Sequence, residues 1–294
     1  MATLARIGLV GAGAMGSALG AGWVAGGACV LTCVVGRSDR TRELAEAAGL
    51  DLASTLDEVV AQCDLVASVV PPASALSCAE SIARAAERCD VHPLVIDLNA
   101  IAPATVRGIG SRLGEAGCDL VDGSVSGPPP RSGSTPTRVY VSGTRAAELV
   151  QLPNPWIDVV QLAGPVGAAS ALKMCTASMY KGTHALVMQA LLTAEANGVR
   201  EQFLDDTARR WPADVPQWHI DVAVAASKGW RFVDEMHEIA RTQADAGLPA
   251  GLFDGVAAVY ERASRTDLGH ADPEHVDPFA TVEAVIAGLR VRAS

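Results

Sequence analysis

Up to Gly164 the chain alternates short β-branched apolar runs with Ala-rich stretches whose polar residues recur at helical spacing; beyond it the β pattern stops. The apolar runs predict strands at Ala5–Val10, Val30–Val35, Leu65–Val70, Leu94–Leu98 and Asp119–Asp122, with two more at Val139–Ser142 and Ile157–Leu162. Helices are predicted between them over 14–26, 39–48, 74–88 and 103–117, with a short one at Arg145–Leu149. Strands that alternate with crossover helices build a doubly wound parallel sheet. From 165 onward the pattern is helical, interrupted by Pro and Trp around Trp211–Trp218 and by loops at Ala246–Gly251 and Leu268–Pro278. The expected fold class is α/β with two domains: 1–164 carrying the parallel sheet, and 165–294 all-α.

Val159 to Ala194 is a largely apolar run whose only formal charges are Lys173 and Lys181. Such a run belongs to a membrane span or to the central helix of a helical domain. Gly164-Pro165 and Gly167 punctuate its start and the lysines interrupt it, which argues for the buried helix. An ammonium buried without a partner is costly, or its pKa falls. Lys173 is therefore expected to be paired or used, and a lysine with a lowered pKa is a ready proton-transfer group. The alternative is a structural lysine with its stem in the core and its head in solvent.

Near the N-terminus, Arg6-Ile7-Gly8-Leu9-Val10 runs into Gly11-Ala12-Gly13-Ala14-Met15-Gly16, and a helical pattern follows. In a strand–turn–helix of this spacing Gly11 permits the tight turn, Gly13 lets the backbone approach a pyrophosphate, and Gly16 lets helix and strand pack closely. The helix N-terminus offers free N–H groups to the anion. A turn serving packing alone would use the same residues, but the flanking strand and helix match a Rossmann-type dinucleotide site. The second strand is followed by Gly36-Arg37-Ser38-Asp39-Arg40, in which Asp39, the alternative for the acid that an NAD site places at the strand end for the ribose 2′-hydroxyl, comes one step late. Arg37 with Ser38 suits a 2′-phosphate instead, because guanidinium pairs with phosphate in bidentate fashion. NADP(H) is expected over NAD(H), with solvated surface arginines as the alternative.

Composition narrows the field. With 49% apolar and 19% charged residues, the 294-residue chain is globular and long enough for two cores. A formal charge of −10 argues against a nucleic-acid partner while leaving room for a local anion pocket. Seven cysteines without CxxC pairs read as free thiols of a reducing compartment, and no metal site is expected. The uncharged stretch from Ile7 to Leu31 is broken by eight glycines, unlike a signal peptide, so a cytoplasmic location without membrane contact is expected.

Several segments in order make the chain resemble the β-hydroxyacid dehydrogenase family, which includes 3-hydroxyisobutyrate and 6-phosphogluconate dehydrogenases. They are the GAGAMG fingerprint; Ser68-Val69-Val70-Pro71-Pro72, similar to the family's turn beside the nicotinamide ribose; Asp97-Leu98-Asn99-Ala100-Ile101-Ala102-Pro103; and Asp122-Gly123-Ser124-Val125-Ser126-Gly127, similar to its substrate loop. Gly164-Pro165-Val166-Gly167 followed by Lys173 is similar to the family's glycine–lysine region, with a spacing two residues longer. The resemblance implies a cofactor site formed by Gly11, Ala12, Gly13, Ala14, Met15, Gly16, Arg37, Ser38, Val70, Pro71, Pro72 and Asn99. It further implies that Lys173 is the catalytic general acid/base and that Ser124, Ser126 and Gly127 bind the carboxylate of a small anionic substrate. A homodimer through the helical domain is implied as well.

The family's Asn four residues after the lysine falls here at Ala177, which carries no hydrogen-bonding group. At 100° per residue, Tyr180 lies within about 20° of the direction of Lys173, and Lys181 roughly 80° away and about 12 Å along the axis. Thr176, Tyr180 and Lys181 are the candidates for remodelling this substrate pocket. Some readings stay open: Lys181 in an ion pair, Ser126 as an ordinary turn serine, and Asn99 as the cap of the helix starting near Pro103. The expected activity is NADP-dependent hydride transfer to or from a small β-hydroxy acid; imine reduction on the same fold and an idle NADP-binding sensor are the alternatives. His270, Asp272, Glu274, His275 and Asp277 read as a solvated loop.

Overall fold

The computed structural model describes residues 6–273 and 275–291; Ala5, the first residue of the first predicted strand, and Glu274 lie outside them. The first part of the chain runs β1 (Arg6–Val10), α1 (Ala14–Ala25), β2 (Cys29–Cys33), α2 (Asp39–Ala47), β3 (Asp51–Ala53), α3 (Leu56–Gln62), β4 (Leu65–Ser68), α4 (Ala75–Cys89), β5 (Leu94–Asp97), α5 (Pro103–Glu115), β6 (Leu120–Ser126), β7 (Thr137–Ser142), α6 (Ala147–Val150) and β8 (Ile157–Gln161). The strands form one sheet in the order β3-β2-β1-β4-β5-β6-β7-β8, parallel throughout except where β7 runs against β6. The order reverses between β1 and β4, which opens a crevice at the carboxyl ends of these strands.

Both faces of the sheet are covered, and alternate residues of each strand serve them. Val30, Ile96 and Val121 pack on Leu19 and Trp23 of α1, while Leu31, Val66 and Val95 pack with Val59, Ile82 and Ile109 on the other side. Near-continuous burial explains why the strands read as unbroken apolar runs. The sequence pattern does not signal β3 and α3. β3 has three residues, two of them exposed, which leaves no periodicity to detect. The signal for α3 lies in its cap: Thr55 Oγ1 accepts from Glu58 N at 3.1 Å, and Glu58 reaches back to Ser54 N at 2.9 Å. β2 ends two residues before the prediction because Arg37 N donates to Val34 O, closing a turn. β6 instead continues to Ser126, where pairing with Arg138 of β7 makes most of the expected substrate loop a strand.

The contacts divide the chain into two compact units, Met1–Met174 and Cys175–Ser294. α7 (Ala168–Ala196) begins in the first and continues into the second, followed by α8 (Arg200–Arg210), α9 (Val215–Ser227), α10 (Gly229–Asp245), α11 (Gly251–Ser264) and α12 (Val282–Gly288). No helix among the described residues is long and apolar enough to cross a membrane. Within the helical unit Tyr260 of α11 is fully buried, stacks edge-on against Phe232 at 5.2 Å, and donates its hydroxyl to the carbonyl of Lys181 at 2.7 Å.

Lys181 and Glu235 are buried there as a pair, at 5% and 6% exposure, with Nζ on Oε2 and 4.0 Å above the Phe232 ring. Removing either charge strands the other in a dry core. Lys181→Met should therefore lower stability by about 3–5 kcal/mol. Lys181→Met combined with Glu235→Leu should recover most of that loss, as read from urea denaturation of the intact chain.

Candidate active site

The turn after β1 has the geometry of a phosphate cradle. Gly11 sits at φ +101°, and a Cβ there would lie 2.1 Å from Val69 O, inside the next strand's backbone. A Cβ on Gly16 would lie 2.0 Å from Gly11 O, so the close packing of α1 on the turn needs both glycines. Gly13 faces open space and is the N-cap of α1 with no side-chain cap, which leaves the first-turn N–H groups at Ala14, Met15 and Gly16 directed at the crevice. Ser17 closes the inner side by donating to Ala12 O at 2.8 Å. The residues present thus fit a pyrophosphate.

Beyond β2, Arg37 is exposed, and its guanidinium has no ion pair among the described residues. Ser38 caps α2: its Oγ accepts from Thr41 N at 3.3 Å and lies 3.1 Å from Thr41 Oγ1. Of the predicted pair, the arginine is the group able to turn to an anion.

At the ends of β4 and β5, Asn99 is 2% exposed and does not cap α5, whose N-cap is Ala102. Its Oδ1 accepts from Val70 N at 2.6 Å, and its Nδ2 donates to Asp97 Oδ2 at 2.7 Å and Ser68 Oγ at 3.0 Å. The amide ties two strand ends together and sets the Val70-Pro71-Pro72 turn. Burial pushes the Asp97 carboxyl up to about 7, against the lowering effect of its hydrogen bonds from Asn99 and with a further push from Asp122.

Asp122 and Ser124 project from one side of β6, and both are buried; Ser126 and Gly127 are exposed at the strand end. The buried Ser124 is consequently a poorer candidate for substrate contact than Ser126. Asp122, fully buried, accepts through Oδ2 from Ser142 Oγ and from the backbone N–H groups of Gly167, Ala169 and Ser170 at 2.8–3.1 Å. Its Oδ1 accepts from Ser170 Oγ at 2.6 Å. A carboxylate thereby caps α7 with the charge that the helix N-terminus favours. Lys173, one turn further, is half-buried and donates Nζ to Val125 O at 2.8 Å. It is not an orphan charge: the same strand holds both the start of α7 and its lysine.

In the helical unit, Thr176 is exposed and Tyr180 is 45% exposed, while Ala177 is fully buried. Desolvation and the charge of Glu235 push the Tyr180 phenol up to about 12, so it acts as a neutral donor. Desolvation lowers the His184 imidazole, whose ring stands edge-on to Tyr180 at 6.2 Å. The expectation that Lys181 receives a substrate anion is corrected: Glu235, 54 positions away in sequence, neutralises it in the core.

Residues 6–151 match the family model of the NAD binding domain of 6-phosphogluconate dehydrogenase, and residues 194–263 match a domain family of unknown function, DUF1932. The first domain belongs with the NAD-binding domains of the β-hydroxyacid dehydrogenase family. It is a nicotinamide-cofactor domain. An uncharacterised 28.5 kDa protein of Methanothermus fervidus is 28% identical over 200 residues, 68% of this chain and 75% of that one. A solved structure of a protein of unknown function, described as similar to 3-hydroxyacid dehydrogenases, is 26% identical, with TM-score 0.66 over 88% of this chain and 96% of that one. The 3-hydroxyisobutyrate dehydrogenase of Mycobacterium tuberculosis, solved with L-serine, shares the fold at 20% identity, with TM-score 0.69 over 98% of this chain and 100% of that one.

Two residues of this chain escaped the sequence pattern as structural clamps. Asp97 and Asp122 are acids ending runs otherwise buried on both faces, and that misplaced charge was the signal available. Asp122→Asn removes the negative charge that three backbone N–H groups and the start of α7 favour. It should destabilise the chain by about 3 kcal/mol, measured by chemical denaturation, and the loss should persist in Asp122→Ala.

Proposed function

We propose that the chain is an NADP(H)-dependent oxidoreductase that moves a hydride between nicotinamide and the carbinol carbon of a small β-hydroxy acid, or its carbonyl form. The observation that carries this reading is the placement of Lys173, whose ammonium is held 2.8 Å from Val125 O, next to Ser126 and Gly127. Oxidising a carbinol removes a hydride from carbon and a proton from oxygen, and a bound nicotinamide supplies the hydride acceptor. Lys173 Nζ, as the neutral amine, takes the hydroxyl proton; as the ammonium it returns a proton to the carbonyl oxygen in reduction. The Ser126 hydroxyl and the Gly127 N–H orient the carboxylate. The Gly11–Gly16 cradle binds the pyrophosphate, the Val70–Pro72 turn supports the nicotinamide half, and Arg37 pairs with a 2′-phosphate.

On this reading Lys173→Ala loses turnover on β-hydroxy acids by about a hundredfold or more, while fluorescence titration still shows NADPH binding. Near-normal turnover in that variant would refute the assigned role, and a wild-type chain that binds cofactor without turning over any acid would favour the sensor reading. Arg37→Ala should weaken NADPH about tenfold or more and leave NADH nearly unchanged; an equal loss for both would refute the 2′-phosphate contact. Met179 and Leu186 of α7, 71% and 64% exposed, give the helical unit an apolar face for a second copy of the chain. Sedimentation of the intact protein should find a dimer, and Leu186→Glu should shift it toward monomer.

A further inference from the structure

We propose that Asp97 is a positioning residue for the nicotinamide half of the cofactor, acting through Asn99 on the Val70–Pro71 turn. The proposal rests on the nicotinamide-binding reading above.

Asp97 ends β5 between Ser68 of β4 and Asp122 of β6 in register, and is 2% exposed. A carboxylate in that position carries a desolvation penalty that an apolar residue would not. Its two oxygens have separate work. Oδ1 accepts from Asn99 N at 2.9 Å, and Oδ2 accepts from Asn99 Nδ2 at 2.7 Å. The second hydrogen of Nδ2 goes to Ser68 Oγ. With both amide hydrogens committed, the amide cannot flip, and its oxygen is forced toward Val70 N at 2.6 Å.

That last bond matters because Pro71 and Pro72 follow, and proline has no N–H. Val70 therefore carries the final backbone donor before the turn leaves the sheet. In a doubly wound sheet the pyrophosphate lies at the N-terminus of α1, one mononucleotide half lies over β1–β3, and the other lies over the strands beginning with β4. The Val70–Pro72 turn belongs to the second half. Asn99 is then not itself a ligand of the cofactor: its amide is consumed in holding the turn, and Asp97 determines which way the amide faces.

Ionisation enters through the same geometry. The groups facing Asp97 are Asp122 from β6, Cys78 from α4 with its thiol raised by burial, and the uncharged Ser68 from β4. Arg37 acts on Cys78 from a distance. Burial lifts the Asp97 carboxyl from 3.8 to about 7, so its ionised form costs the fold increasingly as pH rises between those values. As pH falls through about 7 the carboxyl gains a proton, and one oxygen becomes a donor facing an N–H of Asn99. The clamp on the amide then loosens and the turn loses its fixed position.

The experiment compares the affinity of NADP⁺ with that of adenosine 2′,5′-bisphosphate, a probe with the same 2′-phosphate but no nicotinamide half, by isothermal titration from pH 6 to 8.5. Titration of the 2′-phosphate, common to both ligands, cancels in the ratio. The probe's free 5′-phosphate titrates at about pH 6 and has no counterpart in NADP⁺, so the wild-type ratio is taken relative to that of Asp97→Asn at each pH. On that scale the wild-type preference for NADP⁺ over the probe should fall several-fold as pH drops through 7. In Asp97→Asn the preference should fall about tenfold at pH 8 and keep only the pH dependence of the probe. Asn99→Ala, which keeps the carboxylate, should show the same selective loss and serves if Asp97→Asn does not fold. An unchanged preference in a folded variant, or equal loss of both ligands, overturns the positioning role; a wild-type profile that parallels that of Asp97→Asn overturns the loosening on protonation. A wild-type chain that binds neither ligand overturns the nicotinamide reading itself, so the two failures are told apart.

Discussion

A single carboxylate joins the sheet to the helix that carries the proposed proton shuttle. Asp122 leaves β6 fully buried and collects three backbone N–H groups and two hydroxyls, most of them at the start of α7. Those N–H groups have no partner within the helix, and the dipole they terminate favours a negative charge. Gly167 belongs to the same arrangement: at φ +108°, a Cβ there would stand 3.0 Å from the Arg107 guanidinium. Three residues along β6, Val125 O receives the ammonium of Lys173. Strand and helix are therefore stitched at two points, and the lysine's position beside Ser126 follows from the cap of its own helix.

Buried charge recurs as a fixed point in this molecule. Asp97 orients Asn99, Asp122 seats α7, and Lys181 with Glu235 ties α7 to α10 inside the helical unit. Each carries a desolvation penalty, and each is directional in a way that apolar packing is not. The surface pairs differ. Arg88 with Asp57 and Arg145 with Glu148 are solvent-exposed and contribute little to stability individually, although both have good bidentate geometry. Asp97 lies at the carboxyl end of β5, and Asp122 is in register with it on β6.

The fold class was legible because its signals are local. Strands buried on both faces read as apolar runs, and GAGAMG between a strand and a helix marks the cradle without reference to anything distant. β3 and α3 were not legible from periodicity, since three residues carry no period and the capping signal at Thr55–Glu58 stands outside it. The extent of β6 was underestimated for another reason: Ser124 and Ser126 look like loop residues until β7 is known to pair with them.

From the sequence alone came the alternation of strand and helix, the phosphate turn, the exposed arginine beyond β2 and the conspicuous lysine in an apolar run. Each is a property of neighbouring residues and of backbone sterics. Tertiary structure decided what the charges do. Lys173 found a carbonyl, Lys181 found Glu235, Asn99 became a clamp and no longer a cap, and Asp122 became the anchor of a helix that starts 46 positions later. A charge leaves no periodic trace of its partner. Only the fold, by fixing which distant elements share one dry site, selects the pair that can satisfy it.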